Sequence, residues 1–353
     1  MIGAAAGAIG VVGDTIWRSW VNQVGGLFLV PSSSMFVGGL ALSLLLAAVV
    51  AVPRGHRRSP RIAVLARAIF PRRLVHSASG RADVAYFLFG LLVFALAFGW
   101  AFLSTARIAA ATARLLAGAI GPAHASALPV AAQTAIGTVT LFLAYEFAYW
   151  FDHYISHKLP VLWQFHRVHH AAESLSLLTN FRVHPVDTIV FANIVAVVLG
   201  VTSGMLAHVF GHVPDVFGIG GTNALTLVTA IALTHLQHSH FWIAFGPRWG
   251  RVLLGAAHHQ IHHSADPMHY DRNFGSSLAL WDRVFGTFHQ PAATREPLRF
   301  GLGDDEPDPH GWKAAVITPV VRAAACLAPG WIDPDAAPAT AAAARAHSAA
   351  SAS

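Results

Sequence analysis

Histidines are the residues of this sequence whose number and spacing point to chemistry. Of the 22 histidines in the 353-residue chain, 16 lie between His153 and His269. They include three groups that we call box one (His153, His157), box two (His166, His169, His170) and box three (His258, His259, His262, His263). An intermediate group, which precedes box three, contains His235, His238 and His240. Such a concentration of one ligand type predicts a metal site.

The spacing within the boxes indicates how many metals they serve. A step of four residues on a helix places two side chains on one face, one turn apart, so box one suits two ligands to one metal. Box two offers a neighbouring third ring and can therefore supply two metals. Imidazole binds iron, zinc, copper and nickel well. Roughly eight to ten imidazoles exceed the four ligands of a structural zinc site, and they predict a two-metal centre with open positions.

The elements that must hold these boxes are apolar. The chain is 55% hydrophobic and 11% charged, with a mean hydropathy of +0.52, whereas about a quarter of an ordinary soluble domain is charged. A membrane-spanning helix needs about 20 mostly apolar residues. The sequence therefore predicts an all-α fold, a polytopic membrane helical bundle of about four to six spanning or re-entrant helices with a cytoplasmic His-rich helical cap. The expected spans are residues 34–52, 84–104, 130–150, 188–210 and 216–234.

The arginines predict the orientation of this bundle. Residues 54–82 carry eight arginines and no acid, and the positive-inside rule assigns such a loop to the cytoplasm. Counting spans from this loop brings the His-rich segments 151–186 and 235–310 to the same cytoplasmic side. We expect the first 20 residues to be amphipathic or re-entrant and residues 336–353, rich in Ala and Ser, to form a disordered tail.

Further motifs carry a resemblance to a known family. The order His-x3-His, His-x2-His-His, His-x2-His-His is shared by membrane fatty acyl desaturases and by the fatty acid hydroxylase / sterol desaturase superfamily. Only eight residues separate His157 from His166, and this compact layout resembles the second group. The segments Asn273-Phe274-Gly275 and Trp281-Asp282-Arg283-Val284-Phe285-Gly286-Thr287 resemble that superfamily's ending, and residues 182–187 (Arg-Val-His-Pro-Val-Asp) resemble its His-Pro element. The resemblance covers residues 84–290.

The resemblance implies an oxidoreductase of the membrane that uses two iron ions and dioxygen to hydroxylate or desaturate a lipid. Sterol-like, fatty acyl, sphingoid, carotenoid and alkylglycerol substrates all fit, and the residues do not distinguish hydroxylation from desaturation. Electrons would come from an external donor, a ferredoxin or a cytochrome b5-like protein with its reductase. The implied metal ligands are His153, His157, His166, His169, His170, His238, His259, His262 and His263.

Neighbouring residues have alternative roles. His235 and His240 compete with His238 as the ligand from the intermediate group, and His184 and His258 are either ligands or hydrogen-bonding supports. Ligating histidines usually donate their second N–H to a carboxylate or carbonyl, so we expect Asp152 and Glu146 to orient ligand imidazoles. Asp282 and Arg283 are expected to form an ion pair or a cap beneath the site. Tyr154, Trp163 and Phe165 are expected to be packing or interfacial aromatics.

Other classes of protein fit less well. A His-rich membrane metal-binding or transport protein is the main alternative, but it should carry ionisable ligands inside its spans, and these spans contain almost none. A zinc hydrolase is disfavoured because no His-Glu-x-x-His occurs. The net charge of +6 comes with no nucleic-acid motif, so no nucleic-acid partner is expected. The single Cys326 excludes a disulfide framework and an iron–sulfur centre within the chain.

We therefore expect an integral protein of the inner or plasma membrane with its active site on the cytoplasmic side. Its parts would be an N-terminal membrane segment with the arginine-rich loop (1–83), a catalytic domain (84–290) and a C-terminal extension with the tail (291–353).

Overall fold

The structure is a computed structural model, and its description is confined to part of the chain. The first 16 residues, the core of the arginine-rich loop (51–71) and the tail (336–353) lie outside the described residues, so the expectations for them are not addressed. The residues described are 17–18, 20–22, 24–31, 33, 35–50, 72–94, 99–123, 125–302 and 309–328.

The described part is mostly helical, as the sequence predicts. Short π-helical turns follow α3 (Gly90–Phe94) and α8 (Ala230–Thr234) and precede α11 (Lys313–Ile317). The two short strands, β1 (Gly218–Ile219) and β2 (Thr222–Asn223), form one antiparallel hairpin. The helices are α1 (Val37–Val50), α2 (Arg73–His76), α3 (Ala78–Phe89), α4 (Thr105–Ile120), α5 (Val130–Lys158), α6 (Pro160–His170), α7 (Pro185–Phe210), α8 (Ala224–Thr229), α9 (Ala256–His262), α10 (Leu280–Val284) and α11 (Thr318–Cys326).

Helices α5 and α7 are the two described helices that are long and apolar enough to cross a membrane. Only 33% and 22% of the residues in their most apolar stretches are buried within the protein, so most of these residues are not covered by the protein. Prolines mark where helices begin, because Pro160 and Pro185 stand at the first turns of α6 and α7. Helix α7 ends at Gly211, whose φ of 81° is the left-handed conformation typical of a helix end.

Two of the expected spans are not single helices. Residues 84–104 contain the second half of α3, a π-helical turn and a 3-10 turn (Gly99–Ala101), with residues 95–98 outside the description. Residues 216–234 contain the β-hairpin and then only 11 helical residues, about 16 Å of helix, which is too short to cross a bilayer. A hydropathy window detects apolar composition but not the interruption of a helix.

Helix α4, which the sequence analysis did not single out, packs along α7. A Cβ added at Gly200 would lie 2.7 Å from the side chain of Ile108, and one added at Gly204 would lie 2.6 Å from the carbonyl oxygen of Ala109. The two backbones therefore approach closely where α7 has no side chain. Small residues that allow such an approach are common in membrane helix pairs.

The histidine-bearing end of the bundle is held by a buried polar network. Arg182 is 1% exposed, lies 3.3 Å from the carboxylate of Asp83 on α3 and donates to the carbonyl of Val168 on α6 at 2.9 Å. Thr179 donates a 2.7 Å hydrogen bond to the same carboxylate. These bonds fix α3 and α6 to the 3-10 turn (Leu177–Phe181) that leads into α7.

Candidate metal centre

Four separate segments bring the histidines together. Box one lies on the last two turns of α5, and box two on the last two turns of α6. Box three lies on α9 and its C-cap His263, while the intermediate group follows the π-helical turn after α8. Because α6 starts directly after α5, the boxes on these two helices face each other. The segments place nine imidazoles in two buried clusters. These nine are the residues that the resemblance implied as ligands.

The five-histidine cluster contains ring nitrogens that all lie within 4.8 Å of one another. The Nε2 atom of His170 is 3.1 Å from Nε2 of His157 and 3.2 Å from Nε2 of His262. The Nε2 atoms of His153 and His166 are buried and have no hydrogen-bond partner among the described residues. The members are His153, His157, His166, His170 and His262.

Hydrogen bonds at the Nδ1 atoms of two of these rings orient the lone pairs of their Nε2 atoms towards the centre of the cluster. The Nδ1 atom of His153 lies 2.9 Å from the carbonyl of Phe274, and that of His262 lies 2.8 Å from the carbonyl of Arg272. A carbonyl can only accept, so each Nδ1 carries the proton and, in a neutral ring, each Nε2 carries a lone pair. Converging lone pairs repel one another unless a cation lies between them. This part of the site therefore fits a metal ion.

The four-histidine cluster is even more compact. The Nε2 atom of His238 lies 2.8 Å from that of His259, 3.1 Å from that of His169 and 3.2 Å from that of His263. One Nε2 atom has at most one hydrogen to donate, so hydrogen bonding cannot satisfy three neighbours of the same kind. The cluster fits a second metal ion, and its ring nitrogens also lie within 4.8 Å of one another.

The pairs of adjacent histidines connect the two clusters. His170 and His262 belong to the five-histidine cluster, whereas their neighbours His169 and His263 belong to the four-histidine cluster. This division arises because successive side chains on a helix point about 100° apart. The rings of His170 and His263 stack with centroids 4.6 Å apart. The two candidate metal positions are therefore neighbours.

Burial keeps the imidazoles in the form that binds metal. Desolvation lowers the pKa of His238 and that of His262 to about 3. It also lowers the pKa values of His169, His170 and His259, with further lowering from neighbouring histidines. Ligands must be deprotonated to bind a metal, so these rings are neutral and ready to coordinate at physiological pH.

Comparison with known proteins identifies the segment that holds both clusters. The family model for fatty acid hydroxylase matches residues 138–287, which include all nine clustered histidines. Residues 138–287 form a fatty acid hydroxylase domain. The match lies within residues 84–290, over which the sequence resembles this superfamily, and the resemblance is thereby confirmed. No solved structure matches the chain.

The hydroxylase domain also aligns with three kinds of curated relative. An alkylglycerol monooxygenase of Danio rerio is 28% identical over 170 residues, which cover 46% of this chain and 32% of the relative. The ornithine lipid hydroxylase OlsE of Rhizobium tropici is 29% identical over 166 residues, covering 46% and 44%. Lathosterol oxidase of Homo sapiens is 24% identical over 153 residues, covering 43% and 44%. The chain thus spans less than half the length of these relatives.

A loop of the hydroxylase domain, residues 273–287, positions a histidine of box one. The backbone N–H groups of Phe274 and Gly275 donate to the carboxylate of Asp282 at 2.8 and 2.9 Å. The hydroxyl of Thr287 donates to the same carboxylate at 2.6 Å. This cap fixes the Phe274 carbonyl that accepts from His153. The Asn-Phe-Gly and Trp-Asp-Arg motifs therefore support a candidate ligand.

Several supporting residues differ from expectation. Asp282 and Arg283 were expected to form an ion pair or a cap, and Asp282 forms a cap. Arg283 does not pair with it, because Arg283 is exposed and donates to the carbonyl of Arg251 at 3.3 Å. Glu146 does not touch a ligand. Its carboxylate accepts from the hydroxyl of Ser277 at 2.7 Å and from the N–H of Leu278 at 2.9 Å. The expectation that Glu146 orients an imidazole was therefore wrong.

The carboxylate that does contact a candidate ligand is Asp187. It lies 3.0 Å from Nδ1 of His166, and its place in the first turn of α7 brings it against α6. The sequence analysis quoted Asp187 in the His-Pro element but assigned it no role. Ligating histidines commonly bond to a carboxylate. The presence of an acid in the His-Pro element was therefore the sequence signal that could have predicted the role of Asp187.

The other histidines that were considered as ligands lie outside the two clusters. His235 contacts the hydroxyl of Ser43 at 3.2 Å, and His240 stacks on Phe241. His184 caps α7 by accepting from the N–H of Val186, while His258 accepts from the N–H of Gly255 on its own turn. Of the competing residues in the intermediate group, only His238 belongs to a cluster of the described residues.

The expected aromatic residues pack around the clusters. The ring centroid of Trp163 lies 5.1 Å from that of His157. Phe165 lies 4.9 Å from His184, and Tyr154 lies 4.9 Å from Trp150. These contacts agree with a packing role.

A cavity of about 730 Å³ opens directly onto both clusters. Its volume falls in the range of small-molecule sites, about 300–1,000 Å³. Both clusters contribute to its wall, through His153 and His166 from one and His169 and His238 from the other. Most of the remaining wall is apolar or aromatic, including Leu27, Met35, Phe87, Phe89, Leu177, Phe181 and Phe191.

Proposed function

We propose that this chain is an integral membrane di-iron oxygenase that hydroxylates or desaturates a lipid. The observation that carries the proposal is the contact between two clusters of converging imidazoles and one large, mostly apolar cavity. The relatives act, by their names, on an alkylglycerol, an ornithine lipid and lathosterol. The common property of such compounds is a long or extended apolar body.

The two clusters would each hold one iron ion. His153, His157, His166, His170 and His262 would hold one, and His169, His238, His259 and His263 the other. The irons would supply activation of dioxygen and the oxidising power to break a C–H bond, which side chains alone do not possess. In hydroxylation one oxygen atom enters the lipid and the other leaves as water, so electrons must be supplied. We assign their supply to an external ferredoxin or cytochrome b5-like donor with its reductase.

The chain's own residues would orient the ligands and keep water away. The Phe274 and Arg272 carbonyls and the Asp187 carboxylate hold imidazole tautomers. The apolar wall of the cavity excludes water and accepts the body of a lipid. Helices α5 and α7, as candidate spans, would let the substrate reach the cavity from the bilayer, on the cytoplasmic side of an inner or plasma membrane.

Lipid mass profiling combined with metal analysis tests this function. Cells that express the chain should accumulate a lipid that is heavier by one oxygen or lighter by two hydrogens, and the purified protein should contain close to two irons per chain. His262→Ala should abolish the product and lower the iron content, since it removes a candidate ligand. His258→Asn is the matched control on the same helix and should retain both.

Two results would contradict the proposal. A protein that purifies with a single zinc would exclude the di-iron assignment. An unchanged lipid profile in His262→Ala, measured beside a fully loaded parent protein, would show that the clusters do not perform the reaction.

A further inference from the structure

Asp152 is an acid in the candidate site that makes no hydrogen bond to an imidazole of the described residues, so the expectation that it orients a candidate ligand was wrong. It precedes the candidate ligand His153 on α5, is 5% exposed and lines the cavity. Its Oδ1 atom has no hydrogen-bond partner among the described residues. The two nearby acids are engaged, because Asp187 bonds to His166 and Glu146 bonds to the Ser277 loop.

Such an unpartnered acid is costly to bury. A carboxyl group removed from water needs hydrogen-bond partners in its new surroundings. No lysine or arginine is among the described residues that line the cavity. A donor that arrives with the substrate would therefore complete the site.

The cavity wall has a polar side that suits such a donor. Tyr145, Tyr149 and Asp152 all line it, and their spacing of four and three residues places them on one face of α5. They form a stripe about 10 Å long that ends beside His153. The apolar residues Phe87, Phe181 and Phe191 line other parts of the same cavity. A polar stripe beside apolar walls fits a lipid that carries a polar group close to one end of its apolar body.

We propose that Asp152 is a positioning residue that accepts a hydrogen bond from a hydroxyl or ammonium group of the lipid substrate. This inference rests on the proposed function and narrows its substrate class. The bond would hold the carbon atoms near the donor group beside the five-histidine cluster. The preferred substrate is then a lipid with a hydrogen-bond donor near its reacting carbon, and a plain hydrocarbon segment binds less well.

The test compares lipid pairs that differ only in the donor. A long-chain alcohol is paired with its methyl ether, and a long-chain primary amine with its trimethylammonium analogue. Binding to the iron-loaded, detergent-purified protein is measured by intrinsic tryptophan fluorescence, so the result does not depend on turnover. The parent protein should prefer the alcohol by about 2-fold to 12-fold, the effect of an ordinary hydrogen bond, and the amine, whose donor is charged, by about 10-fold to 100-fold.

Two variants of Asp152 separate its role from a structural one. Asp152→Leu should abolish the preference for both donors and leave ether binding and iron content unchanged. Asp152→Asn keeps an acceptor oxygen, so it should retain part of the preference for the alcohol but lose that for the amine. Thr226→Val, another change in the cavity wall, should retain both preferences. For any lipid that is oxidised, Asp152→Leu should raise KM more than it lowers kcat.

The failure of this inference differs from the failure of the proposed function. If Asp152→Leu keeps the full donor preference in an iron-loaded protein, the inference is overturned, whether or not a lipid is oxidised. If the parent protein oxidises no lipid, the proposed function fails, and the binding preferences still report on Asp152.

Discussion

At the residue scale, the pairs of adjacent histidines explain how few helical turns could serve the two proposed metals. Side chains at neighbouring helix positions point about 100° apart, so His169 and His170 reach different clusters from one turn. His262 and His263 do the same from α9. Two doublets on facing helices therefore produce two neighbouring sites. The sequence predicted that box two could supply two metals for this reason.

The role of Asp187 gives a prediction at this scale. Asp187→Ala removes the acceptor that lies 3.0 Å from Nδ1 of His166, so the ring loses its fixed tautomer and orientation. Loss of such a support typically weakens metal affinity about 10-fold to 100-fold. We expect iron to be lost at correspondingly lower chelator concentration in a competition titration.

The control for this prediction is Asp215→Ala, an exposed acid near the opposite end of the bundle, which should titrate like the parent protein. Asp187→Asn retains an acceptor oxygen and should fall between the two. Equal iron retention in all three proteins would mean that Asp187 does not support a metal ligand.

The sequence identified the clustered histidines but not their supports. Ligands repeat at helical spacing and so are visible in a single sequence. Supports such as the Phe274 carbonyl and Asp187 come from distant segments and are defined by contact alone. For the same reason His235, His238 and His240 could not be separated, because their difference depends on which of them faces the histidines of boxes two and three.

At the element scale, the long apolar helices were predictable and the interrupted ones were not. The expected spans 130–150 and 188–210 lie within α5 and α7, whose apolar runs are continuous. The expected span 216–234 begins with a hairpin whose turn residues Gly220 and Gly221 have φ values of 58° and 78°. A Gly-Gly pair with two positive φ angles is a hairpin signal, and attention to it would have shortened this span.

The close packing of α4 on α7 gives a prediction at this scale. In Gly204→Ala the added Cβ would lie 2.5 Å from Cβ of Thr112 and 2.6 Å from the carbonyl of Ala109, so one helix must shift. Overpacking of this kind costs about 1–3 kcal/mol. We expect a lower midpoint of thermal unfolding for this variant in detergent.

Gly118→Ala on α4 is the matched control. A Cβ at this position meets nothing within 4 Å, and alanine is the better helix former, so stability should be unchanged or raised. If Gly204→Ala proved as stable as Gly118→Ala, the close α4–α7 contact would be incorrect.

At the scale of the whole molecule, all the candidate ligands lie at one end of the bundle. The contacts at this end include the last residues of the arginine-rich segment 54–82. The N–H of Glu173, just after box two, donates to the hydroxyl of Ser79 at 3.1 Å. At the other end, the N–H of Ser126 donates to the carbonyl of Phe210 at 3.4 Å. Helix α5, with 29 residues, is about 43 Å long. Its two ends can therefore lie on opposite sides of a bilayer.

This arrangement predicts the outcome of reporter fusions that do not depend on the chemistry. Fusions after Arg73, Glu173 and Gln290 should all report the cytoplasm, because arginine-rich segments are retained there and the three positions belong to the histidine-bearing end. A fusion at Ala123 should report the opposite side. Paired reporters, one active only in the cytoplasm and one only outside it, make each position its own control. A Glu173 fusion that is active only outside the cytoplasm would contradict the proposed orientation, since box two and the arginine-rich loop would then be separated by the membrane.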